Sequence, residues 1–345
     1  MGLLLLILAL IPLCYFLTRL VLTLTSRYSW LDDIPNERSS HTIPTPKGGG
    51  AAFVIGFLFF SSYCFATGLI TSEIYLIIML AMVLALLGFI DDVKQLGIRT
   101  RITVHALVAL IALYVTSKGF SDPLLDSWPE LKWLGYIIAL LGFVWFINLF
   151  NFMDGIDGIA AVETIFVSVA AFSLLSAESR EGWEYLLPAL AACLSGFFIL
   201  NKPPALIFMG DIGSNFLGYI LGTLALVSIQ IGTLSVWTWC ILLAVFIADS
   251  TVTLISRMIA GEIWYYAHRT HAYQLLADRV GSHAKVISGL SVVNLIWILP
   301  LAWLSLQYPD QSVPIVAVTY LPLVVLIIFV RKKYIKNSQQ KSLAE

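Results

Sequence analysis

Eleven stretches of this chain are apolar for long enough to cross a bilayer, at roughly 2–22, 50–70, 74–90, 102–117, 133–151, 158–176, 185–201, 213–231, 235–256, 286–306 and 313–330. A helix needs about 20 mostly apolar residues to span the hydrocarbon layer, and in lipid every backbone N–H and C=O must find a partner inside the protein. The fold class that follows is an all-α polytopic membrane protein with about 11 transmembrane helices. Composition agrees: of 345 residues 59% are hydrophobic and 12% charged, and the mean hydropathy of +0.90 lies far outside the range of a water-soluble domain. No internal repeat or low-complexity tract interrupts it, so residues 1–345 read as a single transmembrane domain.

The first run has no basic residue ahead of it and no small-residue cleavage site, so it is expected to be a retained span. An odd number of spans puts the termini on opposite sides. With the N-terminus periplasmic and the C-terminus cytoplasmic, 16 Lys and Arg fall in one set of loops and tails, 3 in the other (Lys118, Lys132, Arg180), and Arg19 inside the first span. The excess belongs on the cytoplasmic side. The tail Arg331-Lys332-Lys333 is expected to anchor the last helix against anionic lipid. Cys14, Cys64, Cys193 and Cys240 each lie in an apolar run without metal-ligand spacing, and read as packing thiols.

Within this apolar chain, Asn148-Leu-Phe-Asn151-Phe-Met-Asp154-Gly-Ile-Asp157-Gly158 places a polar side chain at every third position. Neighbours three apart share a helix face, so these four stack along one side, and Gly155 and Gly158 loosen the helix end. Such a face cannot point at lipid. Ionisable groups at membrane depth are costly and usually functional; a polar bundle seam without chemistry is the alternative.

The loops on the basic side carry the other candidates. The first, about 26–50, ends in Pro44-Thr45-Pro46-Lys47-Gly48-Gly49-Gly50, where free N–H groups and a cation can cradle a phosphate. The second opens with Asp91-Asp92-Val-Lys94 and continues through Arg99 and Arg101. Adjacent acids on a helix point about 100° apart, so one can face a reacting group while the other pairs with Lys94 or a metal. A later loop reads Phe208-Met-Gly210-Asp211-Ile-Gly213-Ser214. A carboxylate with open backbone around it suits Mg²⁺, which takes few protein ligands; Phe208 could stack on a base or sugar, with core packing as its ordinary role. The last loop, 257–285, carries Trp264-Tyr265-Tyr266 and His268-Arg269-Thr270-His271. No third ligand stands at zinc-like spacing, so anion contact by His268, Arg269 and His271 is expected. Asp249 sits near the end of its span, while Glu163 and His105 are expected to be interhelical hydrogen-bond partners with no catalytic part.

Acids, amides, cations and Gly-rich turns thus gather on one side while the opposite loops offer almost nothing. Phosphoryl transfer suits that inventory, because two unit charges about 4 Å apart repel by about 4 kcal/mol at an effective dielectric of ~20, and a metal and cations must hold two anions together. The rival is a secondary transporter of an anionic metabolite. Transporters place coupling acids near the midplane on broken helices and often show paired halves, whereas here the acids lie at span ends and no halves are evident.

Taken together, Asp91-Asp92 with Lys94, Asn148-x-x-Asn151-x-x-Asp154-Gly-Ile-Asp157-Gly, Phe208-Met-Gly-Asp211-Ile-Gly-Ser, the Pro-Thr-Pro-Lys-Gly-Gly loop and Asp249 resemble the polyprenyl-phosphate N-acetylhexosamine-1-phosphate transferases over about residues 32–275. Within that superfamily the chain looks most like the bacterial glycosyltransferase family 4 enzymes that start O-antigen or other surface-polysaccharide repeats. The resemblance implies an inner-membrane enzyme whose site faces the cytoplasm. Its partners would be a UDP-N-acetylaminosugar, undecaprenyl phosphate and the bilayer, with Mg²⁺ or else Mn²⁺ as cofactor and UMP as the leaving product. It leaves room for a homodimer and implies no nucleic-acid partner. By motif, Asp211 and Asn151 match metal ligands, Asp91 the acid that accepts the lipid phosphate's proton, and Asp92 its support. Asp154 is placed with the catalytic acids; Asp154, Asp157 and Phe208 match positions around the uridine; Lys47 and Lys94 lie where phosphates are held, and Asn148 lines the substrate face. The chain departs from the pattern at His268-Arg-Thr-His271, where well-known members have two or three histidines close together; only His271 matches comfortably.

Overall fold

A computed structural model describes residues 2–28, 31–33, 44–119, 132–175, 182–262 and 268–342. Trp264-Tyr265-Tyr266, Arg180 and most of the first loop lie outside these residues. In chain order the α-helices are α1 (Gly2–Tyr28), α2 (Gly50–Ala66), α3 (Ser72–Met79), α4 (Ala81–Lys94), α5 (Ile98–Gly119), α6 (Lys132–Met153), α7 (Ile159–Leu174), α8 (Leu186–Asn201), α9 (Gly210–Ile231), α10 (Val236–Leu242), α11 (Ala244–Ile259), α12 (Ala272–Val280), α13 (His283–Val293), α14 (Leu299–Gln307) and α15 (Ser312–Ser342). A π-helical turn, Asn294–Ile298, joins α13 to α14.

Each of the eleven apolar runs is helical, but not all are long spans. Among the described residues eight helical segments are long and apolar enough to cross a membrane, and α10 with α11, bent by 79°, makes a ninth if the pair is one span. The other two runs are α2 and α7, of 17 and 16 residues. At 1.5 Å per residue each reaches only about 25 Å, short of the ~30 Å hydrocarbon layer. Both start at glycine-bearing turns that carry candidate residues, and both are largely covered by other helices.

The centre of the bundle is α9, which packs against α4, α6, α2 and α5 and is buried along most of its length. Helices in lipid gain little from apolar burial against one another, so close backbone approach and van der Waals fit must hold them. Two glycines provide that approach. A Cβ on Gly88 of α4 would lie 2.2 Å from the Asp211 carbonyl oxygen, and one on Gly218 of α9 would lie 2.8 Å from Ile147 Cα of α6. Backbone contact at Gly88 brings the next turn of α4, Asp91-Asp92, to the start of α9; contact at Gly218 does the same for the end of α6. Around them Phe53, Phe57, Phe197 and Phe216 interlock at ring distances of 5.3–6.2 Å.

The only strands among the described residues are β1 (Asp32–Asp33) and β2 (Thr45–Pro46), paired antiparallel with Asp33 opposite Thr45. This ribbon was expected to be loop. It continues into the α8–α9 connection: the Phe208 N–H donates to the Pro46 carbonyl and the Phe208 carbonyl accepts from the Gly49 N–H, both at 2.9 Å. Lys47 and Phe208, far apart in sequence, are fixed beside each other by backbone alone.

Candidate active site

Four chain segments meet at the start of α9. Asn151, in the last turn of α6, donates from Nδ2 to Asp211 Oδ1 at 2.8 Å and to Ser214 Oγ at 3.1 Å. Asp91 and Asp92, from the last turn of α4, divide their partners as their 100° separation requires. Asp91, only 7% exposed, accepts from the Leu96 N–H at 2.5 Å and from Arg101 Nη1 at 3.0 Å. Asp92 turns toward the N-terminus of α9 and accepts from the Ile212 N–H at 3.4 Å, where the helix's free N–H groups favour an anion. Arg101 also stands 3.9 Å from Asp211 Oδ2, so one guanidinium is shared by two carboxylates.

Lys47 enters from β2, with Nζ 3.1 Å from Asp33 Oδ1. Burial pulls its pKa down, but the attraction and hydrogen bond of Asp33, reinforced by Asp92 and Asp211, outweigh burial and raise it. Asp154 follows the end of α6. Burial first, then the charges of Asp211 and Asp92, push its carboxyl well above the usual range; Lys47 opposes this and Asp157 adds to it. The protein therefore gathers more carboxylate than its own cations neutralise.

Around this centre the remaining candidates fall into place unevenly. Asp157 accepts from the Ala205 N–H at 3.1 Å, and its Oδ2 lies 3.2 Å from His283 Nδ1, so it ties the α6–α7 turn to the α8–α9 connection and to α13. Asn148 sits one turn deeper in α6, donating to the Val144 carbonyl at 2.7 Å with Nδ2 3.3 Å from His105 Nδ1. Glu163 accepts from Asn294 Nδ2 at 2.6 Å, so both intramembrane groups are interhelical partners, as expected. Lys94 is exposed and, among the described residues, makes no ion pair. The αL conformation of Gln95 (φ 51°) ends α4 directly after it.

His268, Arg269 and His271 lie together before α12. His268 stacks on His271 with ring centres 4.9 Å apart, and Arg269 pairs with Asp278. Asp249 of α11, 4% exposed, organises this segment: its two oxygens accept the N–H groups of Ala272 and Tyr273 at 2.9 Å, and Oδ1 lies 3.5 Å from His271 Nδ1. Tyr273 then donates its hydroxyl to the Phe152 carbonyl at 2.9 Å, and His271 stacks on Phe152 with ring centres 6.3 Å apart. The histidine segment is thereby docked on the same turn that carries Asn151 and Asp154.

The structure thus brings together Lys47, Asp91, Asp92, Asn151, Asp154 and Asp211, with Phe208 alongside. Arg101, Ser214, Asp33 and Tyr273 join them, and sequence reading had assigned none of these four a site role; Arg101 alone carried a signal, as a cation at a span start following the paired acids. The carboxylate oxygens of Asp91, Asp92 and Asp211, the amide of Asn151 and the Ser214 hydroxyl face one another beside Lys47 and Arg101, and it is the oxygens of this set that a hard divalent cation prefers. Among the described residues no three His, Cys, Asp or Glu side chains form a ready-made metal cage. Asp211 and the side-chain oxygen of Asn151 are the groups that could hold a divalent cation, since Mg²⁺ takes one or two carboxylates and completes its shell with water and substrate phosphates.

The described helices form a membrane-protein bundle with a cluster of acids, amides and cations at one end, and comparison with known proteins gives the class its name. Residues 74–229 match Glycosyl transferase family 4. The chain is 30% identical over 274 residues, 77% of its length and 75% of the relative's, to a probable undecaprenyl-phosphate N-acetylglucosaminyl 1-phosphate transferase of Bacillus subtilis (strain 168). Two phospho-N-acetylmuramoyl-pentapeptide-transferases are also similar. That of Thermotoga petrophila is 30% identical over 73% of this chain and 82% of the relative, and that of Streptococcus suis (strain 05ZYH33) 27% identical over 61% and 66%. The chain belongs to the polyprenyl-phosphate N-acetylhexosamine-1-phosphate transferase superfamily.

Proposed function

We propose that this protein transfers an N-acetylaminosugar 1-phosphate from a UDP-sugar to undecaprenyl phosphate and releases UMP, starting the lipid-linked repeat of a surface polysaccharide such as O-antigen. The observation that carries this reading is the convergence of Asp91, Asp92, Asn151 and Asp211 on the first turn of α9, at one end of the bundle. The bias of 16 against 3 basic residues supports placing that end at the cytoplasmic face of the bacterial inner membrane, where nucleotide sugars are available. A lipid acceptor also needs an apolar approach. A cavity of about 340 Å³, lined by Met153, Phe246, Tyr273, Leu290, Val293 and Leu326, reaches the residue before Asp154.

In the proposed reaction an oxygen of the lipid phosphate attacks the sugar-bearing phosphorus of the UDP-sugar, and the bond to the UMP oxygen breaks with its electron pair leaving on UMP. Mg²⁺, or Mn²⁺ in its place, held by Asp211 and by the carbonyl oxygen of Asn151, would neutralise phosphate charge in the transition state. Asn151 orients Asp211 through its amide; Asp92 is held by the N-terminus of α9; Lys47 faces the same space as a lasting cation. Phe208 and Asp157 border the nucleoside, and His268, Arg269 and His271 the sugar phosphate.

Two roles are open to Asp91. By resemblance it takes the acceptor's proton. Its two hydrogen bonds favour instead holding Arg101 toward Asp211, and a phosphate monoester with a second pKa near 6 is already largely dianionic at neutral pH. The pH profile separates them: Asp91→Asn recovers activity as pH rises if the group is a base, and stays equally impaired at every pH if it positions Arg101. The test of the function itself is direct. Purified protein is offered UDP-GlcNAc, UDP-FucNAc and UDP-QuiNAc with undecaprenyl phosphate, and the lipid product is weighed. One sugar should yield lipid diphosphate sugar and equimolar UMP; no lipid product from any member of the panel, with uptake of an anion into vesicles instead, would establish a transporter.

A further inference from the structure

The basic tail of α15 is not uniform. Lys332 and Lys333 are exposed, as a lipid anchor requires, but Arg331 is only 6% exposed and its Nη1 donates to the carbonyl of Thr270. A buried guanidinium is costly to desolvate unless it is paired, and this one lies in the field of Asp249 and Glu262, with Arg257 opposing. Arg331 therefore does something an anchor does not.

The bonded carbonyl belongs to the segment between α11 and α12. On its C-terminal side Asp249 holds the N–H groups of Ala272 and Tyr273, and on its N-terminal side Arg269 pairs with Asp278. Arg331 supplies the remaining hold, from a helix that packs on both α11 and α12. From Thr270 the contacts run onward without a gap: His271 stacks on Phe152, and Tyr273 donates to the Phe152 carbonyl, next to Asn151. The last helix, outside residues 74–229, thus reaches the histidine segment beside the candidate active site through a polar contact, in addition to the apolar side chains it gives to the cavity.

We propose that Arg331 is a positioning residue that fixes the His268–Tyr273 segment from the last membrane helix and thereby sets the enzyme's grip on the nucleotide sugar. The proposal rests on the transferase reading above. The effect of Arg331 falls first on the nucleotide sugar, because the segment it holds carries His268, Arg269 and His271, assigned above to the sugar phosphate, while Tyr273 at the segment's end is one residue among those lining the lipid cavity.

The experiment compares wild type, Arg331→Gln, Arg331→Lys and the control Lys332→Gln in transfer kinetics, varying UDP-sugar and undecaprenyl phosphate separately. Arg331→Gln should raise KM for the UDP-sugar about tenfold, the loss expected for one charge-assisted hydrogen bond, with KM for the lipid unchanged within twofold. Arg331→Lys, whose ammonium can still donate one hydrogen bond, should fall between that variant and wild type, and Lys332→Gln should match wild type. Equal KM values in wild type and Arg331→Gln, or an equal rise in KM for both substrates in Arg331→Gln, would overturn the proposal. A wild type without turnover would instead refute the transferase reading. Amide hydrogen exchange then still tests Arg331: the variant should lose protection at Ala272 and Tyr273, and unchanged protection there contradicts the proposal.

Discussion

Two groups of acids in this molecule behave differently. Glu163, deep in α7 and fully buried, faces one amide, Asn294, and among the described residues has no charged neighbour. At the first turn of α9, by contrast, Asp91, Asp92, Asp154 and Asp211 crowd together against Lys47 and Arg101. An acid matched to one neutral partner joins helices; acids concentrated beyond the protein's own cations store a charge that a ligand must complete. The difference is crowding: Glu163 meets one neutral amide, whereas the four aspartates repel one another beside two cations, Lys47 and Arg101.

That contrast can be broken by substitution, most severely at its centre. Asp211→Asn removes the charge while keeping the shape and the contact to Asn151, and should cost about a thousandfold in turnover, or ~4 kcal/mol of transition-state stabilisation. A variant within tenfold of wild type in a radiolabelled UDP-sugar assay would place the chemistry elsewhere. Gly88→Ala leaves every charge in place but drives α4 off the Asp211 backbone. Displacement by about 1 Å can cost a hundredfold, so a comparable loss of turnover with the helical circular dichroism retained is expected. Arg101→Gln sharpens the comparison by leaving Asp91 and Asp211 without their shared cation. About thirtyfold lower kcat/KM is predicted, in line with the loss of a charge-assisted bond, and an unchanged value would show that the carboxylates do not need it. Glu163→Gln is the opposite case: it keeps a polar partner for Asn294, so activity should stay within about threefold, and a collapse of turnover in a protein that still elutes as a single species would erase the distinction.

How much of this was legible in the sequence follows from the same physics. The apolar runs and the acids at their ends stood out because lipid tolerates neither irregular backbone nor unpaired charge, and that was enough to assemble Asp91, Asp92, Asn151 and Asp211 before any coordinates. Asp157 was legible as polar but not as a tie to His283, 126 residues away. Lys94 read as a partner for one of the paired acids and as a holder of phosphate, yet it is exposed and Arg101, on the next helix, pairs with Asp91. Asp249 showed as an acid near a span end and as part of the family resemblance; that it accepts the first N–H groups of α12, more than twenty residues on, is packing no local pattern encodes. Arg331 read as a lipid anchor because its neighbours are lysines, and only the burial of one face of α15 separates it from them. Hydropathy marks α2 and α7 as apolar runs but cannot say that their helices stop at 17 and 16 residues, shorter than the other spans.

The account turns on whether the carboxylates at the start of α9 form an incomplete site that a divalent cation and phosphates complete. The most direct measurement is sugar-phosphate transfer by purified wild-type protein after chelation, as free Mg²⁺ is restored. The account predicts that turnover vanishes in chelator and returns with Mg²⁺ or Mn²⁺ but not with an equal ionic strength of K⁺. Full turnover in the presence of excess chelator would contradict it.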